Sequence, residues 1–287
     1  MIFNHNGNIT DANTLPISLT NRALLYGDGV FETIRYAHGK LLFWEDHYFR
    51  LMASMRILRI RIPDHWTPEF LQSEISELIA AHHWEKQAVR VRLTVWRSGG
   101  GLYTPELHTP EYLITCAQLE THEYLLPTKT IRVDVYKDVP KPANLLSGLK
   151  LIGSQLYVLA SIFAAENELY DALLINDVKN IAESARSNVF AIFGKQLITP
   201  PLNSGALRGI MRQRILKAAN KADLSVEEKD LTPFDLLKAD ELWLTNVIHG
   251  ITPVTSYRTK TYTAELAEVM IGVLNEIAHQ DTFDLAF

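Results

Sequence analysis

The chain has a single cysteine, Cys116, among 287 residues, so no internal disulfide can form and a reducing compartment is expected. Cys116 lies in the apolar run Tyr112–Ala117 and reads as a small buried hydrophobe. No apolar run reaches membrane-spanning length, and Met1-Ile-Phe-Asn-His lacks the basic and apolar regions of a signal peptide, so no membrane partner and a cytoplasmic location are expected. The net charge of −5 gives no basic surface for nucleic acid. Gly-x-Gly-x-x-Gly, a Walker lysine and a Gly-x-Ser-x-Gly elbow are all missing, and no cluster has metal-ligand spacing, so no metal site is expected.

What is present is ample apolar material, 47% of residues, enough for a large core and for two domains. The spacing of Tyr48, Leu51, Met52, Met55 and Leu58 predicts a helix over 43–60, with Asp46 as its cap. Thr67-Pro68-Glu69 opens a second helix. Val89, Val91, Leu93 and Val95 alternate with Arg90, Arg92 and Thr94 in a strand, a second strand follows over 111–119, and 97–103 reads as a flexible glycine loop between them.

Residues 120–127 form the best linker, which divides the chain into a smaller domain, 1–119, and a larger one, 128–287. The latter reads as an alternating strand at Ile131, Val133 and Val135, then a helix over 153–168. Strands follow at 172–176, 189–193 and 196–199, then a helix from Leu207, a strand over 241–245 and a last helix over 263–278. Helices and strands interleave without a βαβ period, so α+β or a mixed barrel fits better than a doubly wound sheet.

Lys150 stands in the apolar stretch Leu145–Ile152, with Ser147 and Gly148 its only small neighbours there. Lost hydration favours a neutral amine that can attack a carbonyl and hold a Schiff base, although a lone lysine in such a setting is more often a snorkelling side chain. Glu183, between two apolar strands, could hold the proton of a pyridine nitrogen, or be a solvated turn residue. Gly209 would let a ligand approach the backbone, leaving the N–H groups of Ile210 and Met211 as an anion site, and Thr245–Gly250 could add further amides. Arg50, one turn past His47, could grip an anion.

Taken in order, Tyr26-Gly-Asp-Gly-Val-Phe-Glu-Thr-Ile-Arg35, His47-x-x-Arg50-Leu51, Gly148-Leu-Lys150, Asp171–Asn176, Glu183 before Asn188-Val-Phe, Gly209-Ile-Met-Arg212 and Asn246–Val254 resemble the class IV, fold-type IV pyridoxal-phosphate enzymes. That family holds branched-chain and D-amino acid aminotransferases and aminodeoxychorismate lyases. The resemblance implies a small α/β N-terminal domain, a larger C-terminal domain with a mixed sheet or pseudo-barrel, pyridoxal 5'-phosphate as cofactor, and a homodimer.

It further implies Lys150 as the Schiff-base residue that moves the proton at the substrate Cα. Glu183 would pair with the pyridine nitrogen. Arg50 and the amides of Ile210 and Met211 would hold the phosphate with Val247 or Ile248, and Leu207 would pack on the ring. Phe31, Arg97, Asn246 and His249 are the candidates for substrate contact.

The substrate class stays open. Where D-amino acid aminotransferases and lyases carry a second loop arginine for a carboxylate, this chain has Gly101 or Leu102. Arg97, Arg186, Arg22 and Lys141 are the replacement candidates. Phe31-Glu32-Thr33 departs from the branched-chain Phe-Glu-Gly, whereas Asn246-x-x-x-Gly250-x-x-Pro253-Val254 leans toward the lyase and Gly153 leans away from it. Three readings follow: transamination between an amino acid and a 2-oxo acid, pyruvate elimination from a chorismate-derived substrate, and cofactor binding without catalysis.

Overall fold

The computed structural model describes residues 2–11 and 18–281, and the chain forms two compact units. The first holds 1–123, 150–153 and 278–287, and the second 124–149 and 154–277. The chain first passes from the first unit to the second between Glu123 and Tyr124. A four-residue strap carrying Lys150 also groups with the first unit, although it lies far along the sequence.

The first unit is built on β1 (Ile2–His5), β2 (Asn8–Asp11), α1 (Arg22–Tyr26), β3 (Gly29–Ala37), β4 (Lys40–Leu41), α2 (Trp44–Ile57), α3 (Pro68–Ala81), β5 (Val89–Arg97) and β6 (Pro110–Gln118). Its antiparallel sheet has the order β2-β1-β6-β5-β3-β4. The alternation in β5 buries Val89, Val91, Leu93 and Val95 against α2 and α3, where Leu51, Met52, Met55, Leu71, Ile75 and Ile79 complete the core. Cys116 is buried in that core, and burial pushes its thiol up to about 12. Thr67 caps α3 as expected, accepting from the Phe70 amide at 3.2 Å. Asp46 does not cap α2: Phe43, left-handed at φ 59°, is the N-cap, and Asp46 falls within the first turn, where its charge favours the helix dipole.

The second unit contains β7 (Arg132–Lys141), α4 (Gln155–Glu166), β8 (Asp171–Asn176), β9 (Ile181–Ser184), β10 (Asn188–Phe193), β11 (Gln196–Thr199), α5 (Ile210–Ala218), β12 (Ser225–Glu228), β13 (Glu241–Asn246), β14 (Gly250–Pro253), β15 (Ser256–Tyr257), β16 (Lys260–Thr261) and most of α6 (Glu265–Gln280). Two mixed sheets, β12-β11-β10-β13-β14 and β16-β15-β7-β8-β9, share one core around Val135, Leu173, Ile181, Val189, Leu244 and Tyr257. The two-domain α+β reading holds. The expected helix from Leu207 starts only at Ile210, because Leu207 is turned to another use described below. Among the described residues no helix is long and apolar enough to cross a membrane.

Candidate active site

In the second unit, β9 carries Glu183 opposite Leu174 of β8. The carboxylate is 3% exposed and fully engaged. Tyr157 donates its hydroxyl to Oε1 at 2.8 Å, the Leu207 amide donates to Oε2 at 2.9 Å, and Lys141 Nζ lies 3.5 Å from Oε1. Burial pushes the Glu183 carboxyl above its ordinary value; Lys141, then the Leu207 amide and Tyr157, offset this only in part. Lys141 is itself buried at the end of β7 and also donates to the Ser147 carbonyl at 3.3 Å. Tyr157 and the anchoring role of Lys141 were not legible from spacing, since they arrive from a different helix and strand.

The Leu207 carbonyl accepts from Asn188 Nδ2 at 2.9 Å, so this residue is clamped on both sides. The glycine at 209 has a different reason from the one expected. A Cβ there would meet Asn188 Oδ1 at 1.9 Å, so the space is already taken by the clamp and not left for a ligand. Gly209 is the N-cap of α5, with no side-chain cap and no acid in the first turn. The first-turn amides of Ile210 and Met211 have no carbonyl four residues earlier within the helix to bond, which leaves a positive terminus suited to an anion. α5 packs on β13, where the Thr245 hydroxyl is buried without a hydrogen-bond partner.

The turn after β13 is organised by Asn246. Its Oδ1 accepts from the amides of Ile248 at 3.0 Å and His249 at 2.9 Å, while Nδ2 donates to Ser187 Oγ at 3.0 Å. The Ile248 amide, expected as a phosphate donor, is thus spent on the turn, and Asn246, expected to meet substrate, shapes the loop. Val247 contributes its carbonyl to Tyr124 Oη at 3.0 Å, and His249 is exposed.

In the first unit, the strap 150–153 lies along β3 as a short antiparallel bridge. Phe31 N–H donates to the Lys150 carbonyl at 2.9 Å and Ile152 N–H to the Gly29 carbonyl at 3.0 Å. Gly29 is required there, since a Cβ would come within 2.3 Å of the Val95 carbonyl. Lys150 Nζ sits 4.4 Å from the centre of the Phe31 ring, and the Arg92 guanidinium sits 3.7 Å from the same ring. Alternation along β3 sends Glu32 to the other face. There it is 1% exposed, takes a fork from Arg50 (Nε to Oε1 2.8 Å, Nη2 to Oε2 2.5 Å) and accepts from His47 Nδ1 at 2.7 Å. Burial pushes the Glu32 carboxyl up, but Arg50 and then His47 overcome it and hold it at about 2.

Arg97 does not have the freedom that substrate binding needs. Asp28 accepts from its Nε at 2.9 Å and its Nη2 at 3.2 Å, the carbonyls of Arg59 and Leu58 take Nη1 and Nη2 at 2.9 and 2.6 Å, and His108 Nδ1 takes Nη1 at 3.2 Å. All of its guanidinium donors are thereby spent. Arg22 meets Asp28 at 2.8 Å and also holds the carbonyls of Gly100 and Leu102, so the glycine loop expected to be flexible is pinned. Arg186 faces Asp171 and Tyr170 at the surface. Of the replacement cations, Arg22 and Arg97 are structural and Lys141 serves Glu183. Arg92, which spacing marked only as an outward strand residue, is the one that shares an aromatic ring with Lys150.

Residues 29–257 match the profile of the class IV amino-transferases, and the chain belongs to that family. It is 30% identical over 258 residues, covering 87% of this chain and 85% of the relative, to a provisionally named branched-chain-amino-acid aminotransferase of Methanocaldococcus jannaschii. It is 27% identical over 241 residues, 83% of this chain and 86% of the relative, to an aminodeoxychorismate lyase of Vibrio harveyi. Its fold matches a branched-chain amino acid aminotransferase from T.th., solved with pyridoxamine 5'-phosphate, with a TM-score of 0.87, 22% identity, and 98% and 95% of the two chains covered. The fold is therefore fold-type IV, and the members of this family are pyridoxal-phosphate enzymes.

Proposed function

We propose that the chain is a pyridoxal-phosphate-dependent aminotransferase that moves an amino group between an amino acid and a 2-oxo acid. Glu183 carries this reading. A buried carboxylate whose neighbours only partly offset its desolvation is suited to one more positive partner, such as a protonated pyridine nitrogen. The uncapped start of α5 suits a phosphate, and the unpartnered Thr245 hydroxyl lies on β13, the strand on which α5 packs. When bound, the cofactor supplies a sink for the electrons released at the substrate Cα.

The chain's own residues then have distinct tasks. Lys150 anchors the cofactor and, once released, removes and returns the Cα proton. Glu183 keeps the ring-nitrogen proton in place, and Lys141 and Tyr157 hold Glu183. Arg50, oriented by Glu32, and the amides of Ile210 and Met211 hold the phosphate, with the Val247–Ile248 turn beside them and Leu207 against the ring. We assign the substrate carboxylate to Arg92 in place of Arg97. Its support is the Phe31 ring shared with Lys150 and the commitment of Arg97 to Asp28. Phe31 and His249 complete the substrate side, and Asn246 holds the loop that carries His249.

A homodimer is supported by α4, whose Val158, Leu159 and Ile162 are 55%, 45% and 47% exposed on a helix with no charged residue before Glu166. A cytoplasmic location is supported by the single cysteine, which is buried and unpaired.

The test is the protein loaded with pyridoxal phosphate and assayed on a panel of L- and D-amino acids for 2-oxo acid formation, with 4-aminobenzoate followed in parallel. Amino-group transfer that disappears in Lys150→Ala, together with the visible absorbance of the bound cofactor, is the expected result. Near wild-type turnover in Lys150→Ala would sink the assignment. The similarity to the Vibrio harveyi lyase supports a second reading, and 4-aminobenzoate without amino-group transfer would establish it. Bound cofactor with neither product would leave a non-catalytic binder.

A further inference from the structure

Away from the residues discussed above, the first unit gathers two histidines and a glutamate from remote parts of the chain. His38 sits in the turn between β3 and β4, left-handed at φ 54°. Glu123 ends the first long segment of the unit, and His279 lies in the last turn of α6. The Nε2 atoms of both histidines lie 3.0 Å from the same oxygen, Glu123 Oε1, and one potential ligand atom from each of the three residues lies within 4.8 Å of the others. The imidazoles face one another with ring centres 4.2 Å apart.

We propose that His38, Glu123 and His279 form a binding site for Zn2+, with water in the remaining position. Zinc takes imidazole nitrogen and carboxylate oxygen at about 2.0–2.2 Å in a tetrahedron, which sets its ligand atoms roughly 3.3 Å apart. The observed 3.0 Å separations reach that spacing by moving a few tenths of an ångström, well inside the play of half-exposed side chains. A chelate needs ligands whose backbones are already held, and all three are. Arg35 Nη2 donates to the carbonyls of Thr121 and Glu123, at 2.5 and 3.2 Å. Lys40 Nζ donates to the carbonyls of His279 and Asp281, at 2.9 and 2.5 Å. The His38 amide donates to His122 Nδ1 at 3.2 Å.

The Lys40 ammonium and the Arg35 guanidinium, which would oppose a metal, are both turned onto backbone carbonyls. The residues at 38, 123 and 279 have no metal-binding interval in the sequence, which is why spacing gave no sign of them. Such a metal would tie the end of α6 to the β3–β4 turn and have no part in the chemistry at Lys150.

The experiment uses the cofactor-loaded full chain, stripped with a chelator and titrated with Zn2+ by calorimetry, with thermal unfolding measured in parallel. One Zn2+ per chain and a rise in Tm are expected. Glu123→Gln and His279→Gln should each weaken binding by at least tenfold and remove the Tm rise. Both variants should keep wild-type Tm in chelator and wild-type transaminase rate, since both side chains are solvent-accessible. Absence of Zn2+ binding to the wild-type chain would overturn the proposal. So would binding that survives both substitutions, or binding lost only in His122→Gln.

Discussion

Two buried glutamates divide the work of this molecule. Glu32 of the first unit and Glu183 of the second are 1% and 3% exposed, and each accepts hydrogen bonds from both sides. Yet burial and partners balance oppositely in them. Around Glu32 the Arg50 fork and His47 outweigh desolvation, and its carboxyl is held at about 2. Around Glu183 desolvation outweighs Lys141, the Leu207 amide and Tyr157, and its carboxyl is held above the ordinary value. A carboxylate whose charge is already over-compensated is a structural rivet. One whose charge is under-compensated retains an appetite for a cationic ligand, which is the property a pyridine nitrogen would use.

The comparison breaks first at Glu32. Glu32→Gln leaves the Arg50 guanidinium without its buried counter-ion and should destabilise the first unit by about 3–5 kcal/mol. Chemical denaturation of the apo-protein measures it, and a loss under about 1 kcal/mol would mean that the triad is not a rivet. Glu183→Gln should cost less stability, since a neutral side chain relieves the unfavourable burial. It should instead lower turnover by roughly 10²–10³-fold, the scale for removing one pre-placed electrostatic partner. Comparing the two variants by unfolding and by amino-group transfer sharpens the contrast, and equal effects on both axes would dissolve it.

The pH dependence carries opposite signs. Glu32, lowered from 4.5 to about 2, contributes about 3 kcal/mol that is fully present above pH 4.5 and is lost as pH falls through 2. Glu183, raised, acts the other way: its folded form holds a proton that the unfolded chain releases. Its contribution is present below 4.5 and lost as pH rises through its folded value. Stability of the apo-protein against pH should therefore lose its low-pH descent in part in Glu32→Gln, and lose part of its decline above pH 4.5 in Glu183→Gln. The smallest effect expected is at Tyr157→Phe, which removes one hydrogen bond to Glu183 and should slow turnover by about tenfold while leaving Glu32 untouched.

Much of this was readable in advance. The alternation of Val89, Val91, Leu93 and Val95 announced β5 because one face of an antiparallel sheet is buried and the other is not, and Thr67-Pro68 announced α3 because its chemistry is local. Asp46 misled because capping depends on where the helix starts, and a left-handed Phe43 decided that. Arg97 misled because its position in the loop motif says nothing of Asp28, Arg59 and Leu58, which occupy its guanidinium. Gly209 was read as backbone open to a ligand, whereas the space a Cβ would fill is taken by Asn188, a residue no local motif ties to it.

By itself the sequence determined the order and kind of most elements and the family. These follow from periodicity, caps and motifs written within a few adjacent positions. Only the tertiary structure decided which charges are spent. Whether Glu32 is satisfied, whether Arg92 or Arg97 has donors to offer, and whether His38 meets His279 all depend on residues distant in the chain. Electrostatic balance is a sum over neighbours in space, and a linear sequence does not state who those neighbours are.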